Sequence, residues 1–155
     1  MVDRVDPART GVKAGRVVGV LTAALAVVSL AQARGSFDRS VSLLLDLAGI
    51  DVGLPVAALF WGNVVLAAVA RYALCYAVGS LVGVAYEWLD RPSLPVLAGM
   101  ILIVGAVDGL FAAIDTRSVA FGVAYLLAWL CYVPVFARLF DPDAGDDRSG
   151  PRRLS

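Results

Sequence analysis

Three strongly polar side chains lie inside the long apolar runs of this 155-residue chain: Asn63, Arg71 and Asp108. If those runs cross a membrane, an ionised group at that depth costs about 2.5–3.5 kcal/mol on insertion scales, so such groups normally pair or line a cavity. An arginine side chain is long enough to reach a carboxylate on another helix. We therefore predict an intramembrane polar pair of Arg71 and Asp108, or a shared polar pocket, with Asn63 nearby as a hydrogen-bonding group.

Other reactive groups are scarce. The chain has no histidine, which removes imidazole ligation and histidine acid–base catalysis and weakens any haem or di-metal interpretation. Cys75 and Cys131 both lie in apolar runs and form no C-x-x-C pair, so a redox or zinc site is unsupported. A G-x-S-x-G elbow and a P-loop are also missing from the sequence. We expect a protein that is not an enzyme and that holds no cofactor and no metal.

Composition points to the lipid bilayer as the surrounding solvent. Hydrophobic residues make up 60% of the chain and charged residues 17%, against about a quarter charged in average soluble proteins. The charges are concentrated in the termini and short connections, which is typical of several membrane spans. A formal net charge of zero gives no electrostatic case for a nucleic-acid partner. The sequence predicts an all-α membrane protein built as one domain.

The apolar run at residues 55–89 decides the topology. As two helices it would need a turn near Arg71, where there is no Gly, Pro, Asn or Asp to form one. As one helix it places nine basic residues on one side of the membrane and three on the other, whereas two helices give six against seven. Basic residues accumulate on the cytoplasmic side, so a single helix is favoured. The nine are Arg4, Arg9, Lys13, Arg16, Arg91, Arg138, Arg148, Arg152 and Arg153, and the three are Arg34, Arg39 and Arg117.

The spacing of two tryptophans agrees with one long helix. Trp61 and Trp88 are 27 residues apart, which is about 40 Å along a helix and close to the distance between the two headgroup regions. Arg71 then lies about 15 Å below the level of Trp61, and Asp108 about 9 Å below the outer end of its span. Both charged groups fall in the outer half of the membrane, which is why we expect them to meet.

The remaining pattern completes a four-helix transmembrane bundle. We predict spans at about 15–33, 55–89, 95–114 and 118–140, with Pro134 as a source of a kink in the last. An amphipathic helix at about 38–49, with Asp38 as its N-cap, is too short to span and is predicted to lie in the interface. Residues 1–140 form the single transmembrane domain, and residues 141–155 are predicted to be a disordered cytoplasmic tail.

The first span has an alternative interpretation. A secretory signal peptide shares its layout, and Ala31-Gln32-Ala33 fits an A-x-A cleavage site. Against cleavage, the apolar run is longer than a typical signal core, and Gly11, Gly15 and Gly19 have the small-xxx-small spacing of a helix that packs. We favour a retained span.

Two further glycine pairs predict close helix contacts. Gly79 and Gly83 either dimerise two protomers or pack the second span on the first, and Gly105 and Gly109 are expected to let spans two and three approach. The polar pair then has a structural interpretation, in which it fixes which helix faces meet. It also has a functional one, as a gate, a proton relay or a substrate contact.

The sequence is compatible with two classes of function. The first is a small polytopic membrane protein that works as a non-catalytic accessory or helix-packing partner. The second is a small oligomeric transporter or channel whose polar site is Arg71 and Asp108. In either class the expected surroundings are the lipid bilayer of the cell membrane, with both termini cytoplasmic, and the expected partner is a second copy or another membrane protein.

Overall fold

The computed structural model describes residues 7–49, 53 and 55–140, and these residues form six α-helices and no strand. The predicted disordered tail at 141–155 lies outside the described residues. In chain order the helices are α1 Pro7–Gln32, α2 Arg34–Ala48, α3 Val56–Trp88, α4 Leu94–Thr116, α5 Val119–Leu130 and α6 Tyr132–Leu139.

Four stretches of the described chain are long and apolar enough to cross a membrane: α1, α3, α4, and α5 together with α6. The chain is therefore an all-α membrane protein with a four-helix transmembrane bundle, as its composition predicts. α3 is one continuous helix of 33 residues, roughly 48 Å long at 1.5 Å per residue. Because the spans alternate in direction, α1 begins and α6 ends at one end of the bundle, the terminal face. The opposite end, with α2 and the α4–α5 turn, is the hairpin face.

α1 begins at Pro7, about eight residues before the predicted start at 15. Pro7, Gly11 and Ala14 are buried, so the polar first turns of α1 are held by packing that hydropathy alone does not reveal.

α2 follows α1 after a single residue, Ala33, and the prediction that Asp38 caps it is wrong. Asp38 lies inside the helix, with its Oδ2 3.8 Å from Nε of Arg34 one turn earlier. No residue of α2 is buried, and Leu47 is 77% exposed, as suits a helix whose apolar side faces lipid at the membrane surface. Gly49, in the left-handed conformation with φ 63°, ends α2.

The last span is divided at Cys131, three residues before Pro134. Proline has no N–H, so the carbonyl of Leu130, four residues earlier, has no backbone donor from position 134. The ring also crowds that carbonyl, which explains why the distortion lies one turn ahead of the proline.

The helices pack as two antiparallel pairs joined by α1. α1 packs along α3 and also contacts α5 and α6, while α4 packs on α5 and α6. α3 and α4 have little direct contact. The expectation that spans two and three approach closely is therefore wrong. Arg71 on α3 and Asp108 on α4 face the gap between these two helices.

Candidate functional site

Glycines set the position of α3 against α1. A Cβ added to Gly79 would lie 2.6 Å from the Cα of Gly15, and one added to Gly83 would lie 2.6 Å from the carbonyl oxygen of Pro7. Both contacts are with backbone, which no side-chain rearrangement can relieve. Of the two roles left open for Gly79 and Gly83, the structure shows packing of the second span on the first.

Gly105 and Gly109 face a different neighbour from the one predicted. A Cβ on Gly109 would lie 2.6 Å from the carbonyl oxygen of Gly122, and one on Gly105 would lie 2.8 Å from the Cβ of Trp129. Both of these neighbours belong to α5, so the glycine pair joins α4 to α5 and not to α3. The contact of Gly109 with Gly122 could have been predicted from the sequence. The short turn at 115–117 makes α4 and α5 antiparallel and places the two glycines at similar distances from the turn.

Arg71 and Asp108 are in contact across the gap between α3 and α4. Nη1 of Arg71 donates a hydrogen bond to Oδ1 of Asp108, which is also an ion pair. The long side chain of Arg71 covers the distance between the two helices. The structure thus brings together the two charged groups that depth alone singled out.

Two aromatic residues of α5 complete the surroundings of the pair. The indole N–H of Trp129 donates to Oδ2 of Asp108 at 2.9 Å, so both carboxylate oxygens have a protein donor. The guanidinium carbon of Arg71 lies 4.7 Å from the centre of the Tyr125 ring, a cation–π geometry. Trp129 and Tyr125 are one turn apart and both buried. Sequence reasoning missed both, since an aromatic residue in an apolar span gives no sign of facing inward.

The cluster extends to α1 through a buried threonine. The Tyr125 hydroxyl donates to the carbonyl oxygen of Thr22 at 3.3 Å. The Thr22 hydroxyl lies 3.0 Å from the carbonyl oxygen of Val18 and 3.2 Å from Sγ of Cys75 on α3. α1, α3, α4 and α5 therefore meet in one polar cluster of Thr22, Arg71, Cys75, Asp108, Tyr125 and Trp129.

Asn63 does not join this cluster. It lies eight residues from Arg71 along α3, about 12 Å away along the axis and roughly 80° round the helix. Its side chain is exposed and makes no hydrogen bond to the described part of the chain. The prediction that it supports the pair is wrong, because Asn63 differs from Arg71 both in position along α3 and in the side of the helix on which it lies.

A polar cavity of about 570 Å³ lies at the hairpin face, where the end of α1, the start of α2 and the α4–α5 turn meet. Ser29, Gln32, Asp115 and Arg117 are among its lining residues. Ser29 is seven residues from Thr22 on α1, so the cavity lies about 10 Å above the polar cluster. Tyr125 and Thr22, which both belong to that cluster, are buried.

No protein-family model, curated protein or solved structure matches the chain. The comparisons therefore assign no role to the polar cluster. Each polar group in it faces a hydrogen-bonding partner in protein: Asp108 accepts from two helices, and the Thr22 hydroxyl is directed to backbone. The cluster therefore connects α1, α3, α4 and α5 through side-chain contacts.

Proposed function

We propose that the chain is a non-catalytic membrane protein that acts as a helix-packing or accessory partner, with the Arg71–Asp108 pair as an internal lock. The supporting observation is that both carboxylate oxygens of Asp108 accept a hydrogen bond, one from Arg71 on α3 and the other from Trp129 on α5. An intramembrane carboxylate whose two oxygens both accept hydrogen bonds from protein is suited to fixing helix positions. A proton relay, by contrast, needs a carboxylate oxygen that is free to exchange a proton.

The partner we propose is a second copy or another membrane protein, in contact with the lipid-facing side of α3. Support comes from the uneven burial of that helix, which covers the side facing α1 but leaves Leu66, Val69 and Leu81 exposed. Native mass spectrometry of the protein extracted from membranes with its neighbours would distinguish the two. Recovery of the chain only as an isolated monomer would remove the partner proposal.

Flux measurements test the lock directly. Purified protein in liposomes is expected to pass protons, chloride and potassium no faster than empty liposomes, and Asp108→Asn is expected to lower thermal stability without creating or removing a flux. Asp46→Asn, at an exposed position of α2 outside the polar cavity, is the matched control. A flux that the wild type supports and Asp108→Asn alone abolishes would overturn the lock.

The second candidate is a small oligomeric transporter or channel. Two observations favour it: the side chains of Arg71 and Asp108 keep 26% and 14% of their surface exposed, and the polar cavity lies above them. In this proposal the cavity is a vestibule and a movement of Tyr125 opens the way to the pair. The same flux experiment decides, with Tyr125→Ala expected to raise the rate by removing the closing ring.

We further propose that the chain lies in the cell membrane with both termini in the cytoplasm, on the strength of the nine-to-three distribution of basic residues. The test uses single cysteines in a Cys75→Ala, Cys131→Ala background. A membrane-impermeant maleimide added to intact cells should label Ser40→Cys on α2 and spare Glu87→Cys near the end of α3. The reverse labelling would invert the topology.

We also propose that α1 is retained after insertion. Ala14 and Val18 have no exposed surface, and Gly15 packs on the backbone of α3, so removal of α1 would uncover the core. The intact mass of the protein purified from its native membrane tests this, and a mass lacking residues 1–33 would refute it.

A further inference from the structure

A second cavity, of about 420 Å³, lies at the terminal face where α3 ends, α4 begins and α6 ends. This volume falls within the roughly 300–1,000 Å³ of small-molecule sites. Its walls are mainly apolar, with Tyr86, Leu94, Phe136 and Phe140 among them. Two polar side chains, Arg91 and Ser93, lie in the α3–α4 turn at its edge. None of these residues takes part in the intramembrane polar cluster.

The aromatic wall of this cavity is firmly packed. Tyr86 meets Phe136 edge-on with ring centres 5.1 Å apart, and Phe136 stacks on Phe140 with centres 5.5 Å apart. All three side chains are buried. The aromatic wall of the cavity is therefore built of buried rings that pack on one another.

The turn that carries Arg91 has an unusual backbone. Asp90 and Arg91 both adopt left-handed conformations, with φ of 55° and 58°, which non-glycine residues adopt rarely. Such conformations persist only where the surrounding structure enforces them, and they are frequent at ligand sites. Here the Arg91 N–H donates to the carbonyl oxygen of Tyr86 at 3.0 Å, and the guanidinium lies 5.6 Å from the centre of the Phe140 ring. The turn thus holds one cation at the edge of an apolar cavity.

Polar groups beside Arg91 remain available. Ser93 is at the N-cap position of α4, yet its hydroxyl makes no capping hydrogen bond. The guanidinium of Arg91 forms no ion pair within residues 7–49, 53 and 55–140. The N-terminus of the 23-residue α4 adds a partial positive charge at the same place. The edge of the cavity is therefore complementary to an anion, and its interior to hydrocarbon.

The level of the cavity in the membrane is marked by Trp88. This residue, at the end of α3, is 90% exposed, and exposed tryptophan concentrates at the headgroup level of the bilayer. Basic pockets between spans at that level bind anionic lipid headgroups. We propose that the cavity binds an anionic phospholipid, with its phosphate on Arg91 and Ser93 and its glycerol and upper acyl chain along Leu94 and Phe136. The proposal stands whichever of the two functions above is correct.

Thermal unfolding of the full-length protein in detergent, with phosphatidylglycerol or phosphatidylcholine added, tests this site. Phosphatidylglycerol is expected to raise the unfolding midpoint of the wild type by roughly 3 °C or more, and phosphatidylcholine by much less. Arg91→Gln should lose at least half of that shift, while Arg91→Lys, which keeps the charge, should retain more of it. Arg138→Gln is the matched control, because Arg138 is an exposed arginine of α6 outside this cavity and should leave the shift intact.

A third arm separates a lipid from a free phosphate. Glycerol 3-phosphate at the same concentration should give no comparable shift, because it lacks the acyl chain that the aromatic wall would contact. The proposal is overturned by an equal phosphatidylglycerol shift in Arg91→Gln and wild type, by equal losses in Arg91→Gln and Arg138→Gln, or by equal shifts from the two lipids. A full shift with glycerol 3-phosphate would replace the lipid site by a phosphate site.

Discussion

α3 meets α1 and α4 in different ways. Against α1 it packs backbone to backbone, with Gly15 and Gly79 in direct contact and no room for a methyl group. Towards α4 it leaves a gap that Arg71 and Asp108 bridge with their side chains. Since lipid tails are as apolar as leucine, helices in a bilayer associate through close packing or interhelical hydrogen bonds and not through a hydrophobic drive. α3 is held to α1 by close packing and to α4 by a hydrogen-bonded ion pair.

The comparison teaches that the two contacts should respond to different changes. The α1–α3 contact should be sensitive to added volume and indifferent to charge. The bridge between α3 and α4 should be weakened by the loss of a hydrogen-bonding group. It should tolerate added side-chain volume on the helix surfaces around it. Each of the following substitutions is chosen to affect one contact and to spare the other.

The largest effect is expected from Asp108→Ala. It leaves the Arg71 guanidinium without its ion-pair partner at membrane depth and the Trp129 N–H without its acceptor. We predict a loss of about 3 kcal/mol in the free energy of unfolding, measured by denaturant titration in mixed micelles. Asp115→Ala, at the exposed end of the same helix, should change stability by less than about 0.5 kcal/mol. Similar values for the two variants would mean that the bridge contributes little.

A smaller loss is expected from Gly79→Ala. The new methyl would lie 2.6 Å from the Cα of Gly15, so α1 must move away, at a cost of about 2 kcal/mol. Gly62→Ala in the same helix is the control, because a Cβ there meets nothing within 4 Å. Alanine favours a helix over glycine by about 1 kcal/mol, so this control should be as stable as the wild type or slightly more so. Equal stabilities of Gly79→Ala and Gly62→Ala would contradict the backbone contact.

The smallest effect is expected from Trp129→Phe, which removes one hydrogen bond to Asp108 and leaves Arg71 in place. We predict a loss of about 1 kcal/mol in the free energy of unfolding. Because Trp129 and Arg71 share Asp108 as their partner, the losses from Trp129→Phe and Arg71→Ala should not add in the double variant. Trp61→Phe, at a half-exposed position on α3, is the control and should be nearly neutral. A loss from Trp129→Phe as large as that from Asp108→Ala would place the lock in the tryptophan and not in the ion pair.

Membrane depth was the property that the sequence revealed best. Arg71 and Asp108 could be paired because few charges lie deep in the apolar runs, and the structure has them in contact. The glycine pairs showed which helix faces are closely packed, but Gly105 and Gly109 could not show which helix they face. The neighbour had to come from the chain path, and the short turn at 115–117 pointed to α5.

Rotation about a helix axis was the property that the sequence could not supply. Asn63 shares a helix with Arg71 but lies on another side of it, and Tyr125 and Trp129 face inward at positions where a lipid-facing aromatic would look the same. In a soluble helix, the polar side reveals rotation. In a span that is apolar on every side, this information is lost, and only the packed structure restores it.

The most direct test of the lock is a double-mutant cycle on Arg71 and Asp108. Arg71→Ala, Asp108→Ala and the double variant are unfolded in mixed micelles beside the wild type, and their free energies of unfolding are compared. We predict that the double variant is more stable than the sum of the single losses implies, by about 1–3 kcal/mol, because each single variant leaves one charge unpaired in the membrane. Additive losses would contradict an interaction between the two residues and with it the proposed lock.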